Sequence, residues 1–175
     1  YRFCILMCYS FDFSFFEERV LPVLKTANIK NISVFADGKF LEIAQENTTG
    51  REFKHNKTYS FHSIYTSGVF HPKIMLLTGI KHGLLLIGSG NITSAGLNTN
   101  DEIWGAFHLD NIENENAGLF SDVWEYLQQF LSQVSGFATQ KIEWIRQYSP
   151  WLQQRPKNNK SIPVKCLNQS ISCIC

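Results

Sequence analysis

Residues 2–9 form a short apolar run bounded by a polar segment, the pattern of a strand buried inside a sheet. The segments after it narrow the folds that such a strand can join. Ser14-Phe-Phe-Glu17 has capping-box spacing and predicts a helix start. Phe16, Val20, Val23 and Leu24 then fall on one helical face, and Pro22 predicts a kink or a late start. Residues 32–36 alternate weakly and read as a second strand. Asp37-Gly38 reads as a turn, and residues 39–45 as a short helix. The order strand, helix, strand, helix is the rhythm of an α/β layer fold. The expected architecture is therefore α/β: a central mixed β-sheet flanked by helices.

The rest of the chain fits that frame. Residues 48–57 are polar and carry Arg51, Lys54 and Lys57, a loop or edge hairpin. Residues 59–65 alternate as a strand. Residues 70–77 and 84–87 are strongly apolar and flank a glycine-containing loop, the signature of a hairpin. Residues 101–109 read as a further strand. Residues 116–134 read as a helix with Leu119, Val123, Leu127, Phe130 and Leu131 on one side, and residues 140–148 as another, stopped at Ser149-Pro150. Residues 1–150 form the expected domain, with 151–175 a linker or tail.

Composition narrows the function classes. The chain has 175 residues, 44% of them hydrophobic and 14% aromatic, enough for one domain with a full core and too much for disorder. A net charge of +1 excludes a strongly basic nucleic-acid wrapper and an acidic tail, so phosphate contacts must be local. The five cysteines (Cys4, Cys8, Cys166, Cys173, Cys175) are odd in number and absent from the middle of the chain. Free thiols in a reducing, cytoplasmic setting are expected, and Cys173-Ile-Cys175 lacks the second ligand pair of a structural zinc site. No apolar run approaches the roughly 20 residues of a membrane span. The chain begins at Tyr1 inside an apolar run, which suggests an excerpt of a longer protein.

The chemistry gathers in Phe70-His-Pro-Lys-Ile-Met-Leu-Leu, Gly88-Ser-Gly-Asn-Ile-Thr93 and Asn100-Asp-Glu102. On a strand, residues two apart point the same way, so His71 and Lys73 present an imidazole and an ammonium together. Antiparallel pairing brings Gly88-Ser89-Gly90-Asn91 alongside His71. The glycines let backbone approach a ligand, and Ser89 and Asn91 add short donors. One imidazole, one fixed cation and neutral donors make a cradle for a tetrahedral phosphate. Glu102 follows on the next strand, where a carboxylate can hold a histidine ring nitrogen. A second His-x-Lys, His55-Asn-Lys57, has Met75 where the matching Asn would stand and reads as a solvated loop. Trp104 reads as cleft wall, or as a surface on which a base or sugar stacks. Lys54 and Lys57 read as contacts to a nucleic-acid backbone or as solvated charge.

His71-x-Lys73, Gly88-Ser-Gly-Asn91 and Glu102 together resemble one half-site of the phospholipase D superfamily. The His-to-Asn spacing and the apolar flavour of both strands are similar to its tyrosyl-DNA phosphodiesterase branch. The Asn91-to-Glu102 interval resembles its bacterial nucleases. The family's commonest pattern has Asp five residues after the Lys, and Thr78 stands there instead. The resemblance implies metal-independent phosphodiester cleavage without a cofactor. His71 would attack phosphorus to form a phosphohistidine, with Lys73, Asn91 and the Ser89-Gly90 turn on the phosphate. A second histidine would come from the other half-site, supplied by a homodimer partner or by another part of a longer chain. DNA is the expected substrate. The rival readings are a lipid-acting phospholipase or phosphatidyl transferase, and a non-catalytic phosphate- or DNA-binding module of a larger assembly.

Overall fold

The first strand, β1 (Phe3–Cys8), is buried at every position, and its alternate side chains enter different cores. Phe3, Ile5 and Met7 face one core, Cys4, Leu6 and Cys8 the other. That double burial is why the run is apolar throughout and not alternating. The computed structural model describes residues 1–46, 57–111, 116–134 and 137–154. Arg51, Lys54, His55 and the three C-terminal cysteines lie outside the described residues.

After β1 come α1 (Phe13–Phe15), a π-helical turn (Phe16–Val20) and α2 (Leu21–Thr26). The helix begins earlier than the capping-box spacing predicts. Asp12, not Ser14, caps it by accepting from the Phe15 N–H at 3.0 Å. Pro22 lies in the first turn of α2, where its missing N–H breaks nothing, and the π turn absorbs the junction. The chain's turn through this junction also leaves Val23 exposed, while Leu21 and Leu24 face the core. Next come β2 (Asn31–Asp37), α3 (Gly38–Glu46), β3 (Ser60–Ile64), β4 (Ile74–Thr78), β5 (Gly83–Gly88) and β6 (Trp104–Leu109). Two longer helices, α4 (Ala117–Gln128) and α5 (Phe137–Tyr148), complete the unit.

The strands form one six-stranded sheet in the order β3-β2-β1-β4-β5-β6. β1, β2 and β3 are parallel, and β4, β5 and β6 continue antiparallel, so the sheet is mixed as expected. One face packs against α4 and α5 through Phe120, Val123, Leu127, Ile142 and Ile145. The other packs against Phe11, Phe16, Leu21, Leu24 and Leu41. Each such side chain, fully buried, contributes roughly 1.5–3 kcal/mol, so both layers hold the sheet. Trp151 and Leu152 belong to the first core, and the Trp151 indole donates to the Gly79 carbonyl at 3.0 Å. Cys4 and Cys8 are buried free thiols, pushed up to about 12 by burial. No described helix is long and apolar enough to cross a membrane.

Register places one edge of the sheet at the centre of interest. Met7 pairs with Phe35 and with Ile74, Ile74 with Ile87, Gly88 with Trp104, and Asp37 with Ile64. The carboxyl ends of β1, β2, β3 and β5 therefore meet the starting ends of β4 and β6. Chain segments that leave and enter the sheet along this edge carry the motif.

Candidate functional site

His71 and Lys73 lie in the extended segment just before β4, not within the strand, although the Lys73 carbonyl still accepts from the Gly88 N–H at 3.1 Å. The two side chains share a face. The Lys73 Nζ lies 3.0 Å from His71 Nδ1 and 3.2 Å from Nε2. Lys73 is only 9% exposed, and its ammonium stands 5.8 Å from the centre of the Tyr9 ring. Tyr9, the first residue beyond β1, packs its ring 4.8 Å from that of His71 and 4.9 Å from that of Phe40. Burial, and then the Lys73 charge, hold the His71 imidazole below the ordinary histidine range. The ring's own backbone hydrogen bond and Asp37 oppose them. Burial also lowers Lys73, with Cys8 and Glu102 acting against it. A neutral imidazole beside a fixed cation suits nucleophilic attack on a phosphate.

Asn91 reaches the same place from the end of β5. Phe11 and Ile92 form a parallel bridge, which lays the motif segment beside the chain leaving β1. The Asn91 Oδ1 accepts from the Tyr9 N–H at 3.3 Å and the Ser10 N–H at 3.2 Å. Two backbone donors require an acceptor, so the amide orientation is settled and the NH2 group is left as a donor.

Gly88 and Gly90 have a different reason from ligand access. A Cβ on Gly90 would collide with the Gly96 carbonyl oxygen, and one on Gly88 would come within 2.6 Å of the Ile103 carbonyl. The chain's own backbone fills the space. Gly96, in the π-helical turn Ala95–Thr99, is packed equally tightly against the Asn91 backbone. We therefore expect Gly90→Ala to cost about 1–3 kcal/mol, because backbone cannot yield as a side-chain tip can. A thermal melt checks this, and an unchanged Tm would show that the turn relaxes freely.

Ser89 donates its hydroxyl to Glu102 and accepts from the Ile103 N–H at 3.1 Å. Glu102 also accepts from the Asn100 amide at 3.3 Å. Its partners among the described residues are thus Ser89 and Asn100, not the His71 ring, and Ser89 spends its proton on a carboxylate. Glu102 stands in the loop ahead of β6, one residue before Ile103, whose carbonyl accepts from the Ser89 N–H at 3.0 Å. The Trp104 ring fills the space beside Gly88 and Gly90, which makes it part of the wall behind the motif.

Lys57 is not brought to the site. It precedes β3, whose first residue Ser60 pairs with Ser33, so it lies toward the opposite edge of the sheet. Thr78 likewise ends β4 at the edge away from Lys73, paired with Phe3 and Gly83. Thr78 is therefore remote from the imidazole. His62 stacks against Phe35 at 5.1 Å, and burial, then Lys141, lower it to about 4, as suits a packed strand histidine. Among the described residues no group of three or more His, Cys, Asp or Glu is placed to hold a metal ion.

Sequence reasoning missed Asp37 and Tyr9. Asp37 has the sequence pattern of a turn residue, yet it runs from β2 directly into α3 and accepts from the Phe40 N–H at 2.9 Å. An Asp ahead of a helical pattern is a cap signal, which identifies half of its role. Tyr9 is signalled only by its place at the carboxyl end of a parallel strand, where open α/β sheets put their sites.

The fold is similar to NucT from Helicobacter pylori, with a TM-score of 0.49, 15% identity, and coverage of 78% of this chain and 82% of that one. It is also similar to a mutant of yeast tyrosyl-DNA phosphodiesterase, with a TM-score of 0.43, 14% identity, and coverage of 77% of this chain and 35% of that one. No family model and no curated protein matches the sequence. The functional reading therefore rests on the site's own geometry.

Proposed function

We propose that this chain carries one half-site of a metal-independent phosphodiesterase that cleaves DNA, with His71 as the nucleophile. The observation that supports it most is the meeting, at one sheet edge, of an imidazole held toward neutrality, a largely buried ammonium 3.0 Å from it, and an amide whose acceptor is already used. In the first step a His71 ring nitrogen bonds to phosphorus, and the P–O bond to the leaving group breaks. The leaving oxygen takes its proton from an acid on a second half-site, in another copy or in a further segment. Water then attacks the phosphohistidine, loses its proton to that same group, and the N–P bond breaks. Lys73 and the Asn91 NH2 offset charge on the non-bridging oxygens. Splitting one displacement into two lowers each barrier.

The test is cleavage of single- and double-stranded DNA in excess EDTA, wild type beside His71→Asn. Cleavage by the wild type and not by the variant is expected. Activity lost in EDTA and restored by Mg²⁺ would sink the mechanism. Cleavage of phospholipid vesicles in place of DNA would move the substrate to lipids.

Glu102→Gln is expected to slow turnover by about tenfold, less than any change to the cradle itself, because Glu102 acts through Ser89 and the field on Lys73. The rate constant of the variant under the same conditions checks this, and an unchanged rate would remove Glu102 from the site.

A further inference from the structure

The segment between β3 and β4 carries His71, and α3 and the turn that follows α4 anchor it. The Tyr65 backbone exchanges hydrogen bonds with the Gln133 side chain at 2.9 and 3.0 Å. The Tyr65 hydroxyl donates to Glu42 at 2.7 Å, and its ring lies where a Cβ on Gly38 would be. Lys39 donates to the Thr66 and Gly68 carbonyls at 3.1 and 3.2 Å. These ties are exposed. The tie nearest His71 is not: Asp37, 2% exposed, accepts from the Phe70 N–H at 2.8 Å through Oδ2 while Oδ1 caps α3.

We propose that Asp37 is a positioning residue for His71. Its buried carboxylate joins the end of β2, the first turn of α3 and the Phe70 amide, and so fixes where the adjacent imidazole stands relative to Lys73 and Asn91. This rests on the reading of His71 as the reacting group. Each carboxylate oxygen takes one amide, Oδ1 that of Phe40 and Oδ2 that of Phe70, so one side chain ties two separate segments. A buried charged acceptor also makes the stronger, shorter bond, which suits a clamp. The consequence is large for a small shift, since misplacing a nucleophile by about 1 Å can cost about a hundredfold in rate.

Asn and Ser cap helices about as well as Asp, so Asp37→Asn and Asp37→Ser keep the α3 cap and lose the Phe70 bond. Two readouts test the role: kcat and KM for DNA cleavage in EDTA, and the His71 ring titration followed by nitrogen NMR without substrate. The groups facing that ring are Lys73 on its own segment, Asp37 from the end of β2 and the Tyr9 phenol from the end of β1. Lys73 lowers the ring and Asp37 raises it, so removing the Asp37 charge moves the His71 midpoint further down. The expected result is a fall in kcat of about 10- to 100-fold with KM changed much less, and a lower His71 midpoint. A folded variant with kcat within twofold of wild type and an unmoved midpoint would overturn the proposal. If the wild type cleaves no DNA, the functional reading fails, and the His71 titration still decides the role of Asp37. If neither variant folds, hydrogen exchange of the Phe70 amide in the wild type decides it. Protection supports the clamp, and exchange at an open-chain rate refutes it.

Discussion

His71→Asn is expected to reduce DNA cleavage in EDTA by at least about a thousandfold, leaving the melting temperature unchanged. The size follows from the role. Removing a covalent nucleophile forfeits the two-step path, and the remaining groups can only bind and polarise. The unchanged stability follows from the place: the ring is only partly covered, and its contacts are the Lys73 ammonium and the Tyr9 ring. A rate within tenfold of wild type would take the nucleophile away from His71. The wild-type acid limb of kcat/KM gives an independent check. The attacking imidazole must be neutral, so activity rises as pH passes its midpoint. Burial and Lys73 lower that midpoint, so the limb should lie below the ordinary histidine range.

Lys73→Met is expected to cost about a hundred- to a thousandfold in kcat, the scale of losing one preorganised donor on a developing anion. Met keeps the apolar stem that packs in the partly closed space and removes the charge. The sign of the pH effect is opposite to that of an Asp37 change. Lys73 lowers the His71 midpoint, so its removal lets the midpoint rise and moves the acid limb of kcat/KM upward. A pH–rate profile reads both effects at once. A full rate loss with no movement of the limb would mean that Lys73 binds phosphate without setting the state of His71.

The two changes together separate field from geometry. Asp37 and Lys73 shift one imidazole in opposite directions; Asp37 holds the neighbouring Phe70 amide, and Lys73 stands 3.0 Å from the ring. Both are largely buried, and each would be costly to bury without a partner or a task.

The local pattern of the chain carried its layer architecture. Strands buried on both faces must be apolar at every position, and residues 3–8 are. A helix packed on the sheet must show an apolar face, and 117–128 does, with Val123 and Leu127 buried. The pairing of His71 with Lys73 was legible for the same reason, since short-range spacing sets it. What the spacing left out depends on contacts between distant segments. Asp37 serves Phe70 only because β2 ends where the chain enters β4. Ser89 answers to Glu102 because the loop before β6 pairs with it. Asn91 spends its oxygen on Tyr9 and Ser10 because the motif lies beside the exit of β1. Lys57 is directed away from the site because β3 runs parallel to β2, so its start lies at the far edge. Periodicity and motif spacing are properties of neighbouring residues, and the sequence by itself determined those. Strand order and register are set by which faces can be buried together, and only the tertiary structure decided which side chains meet at the edge.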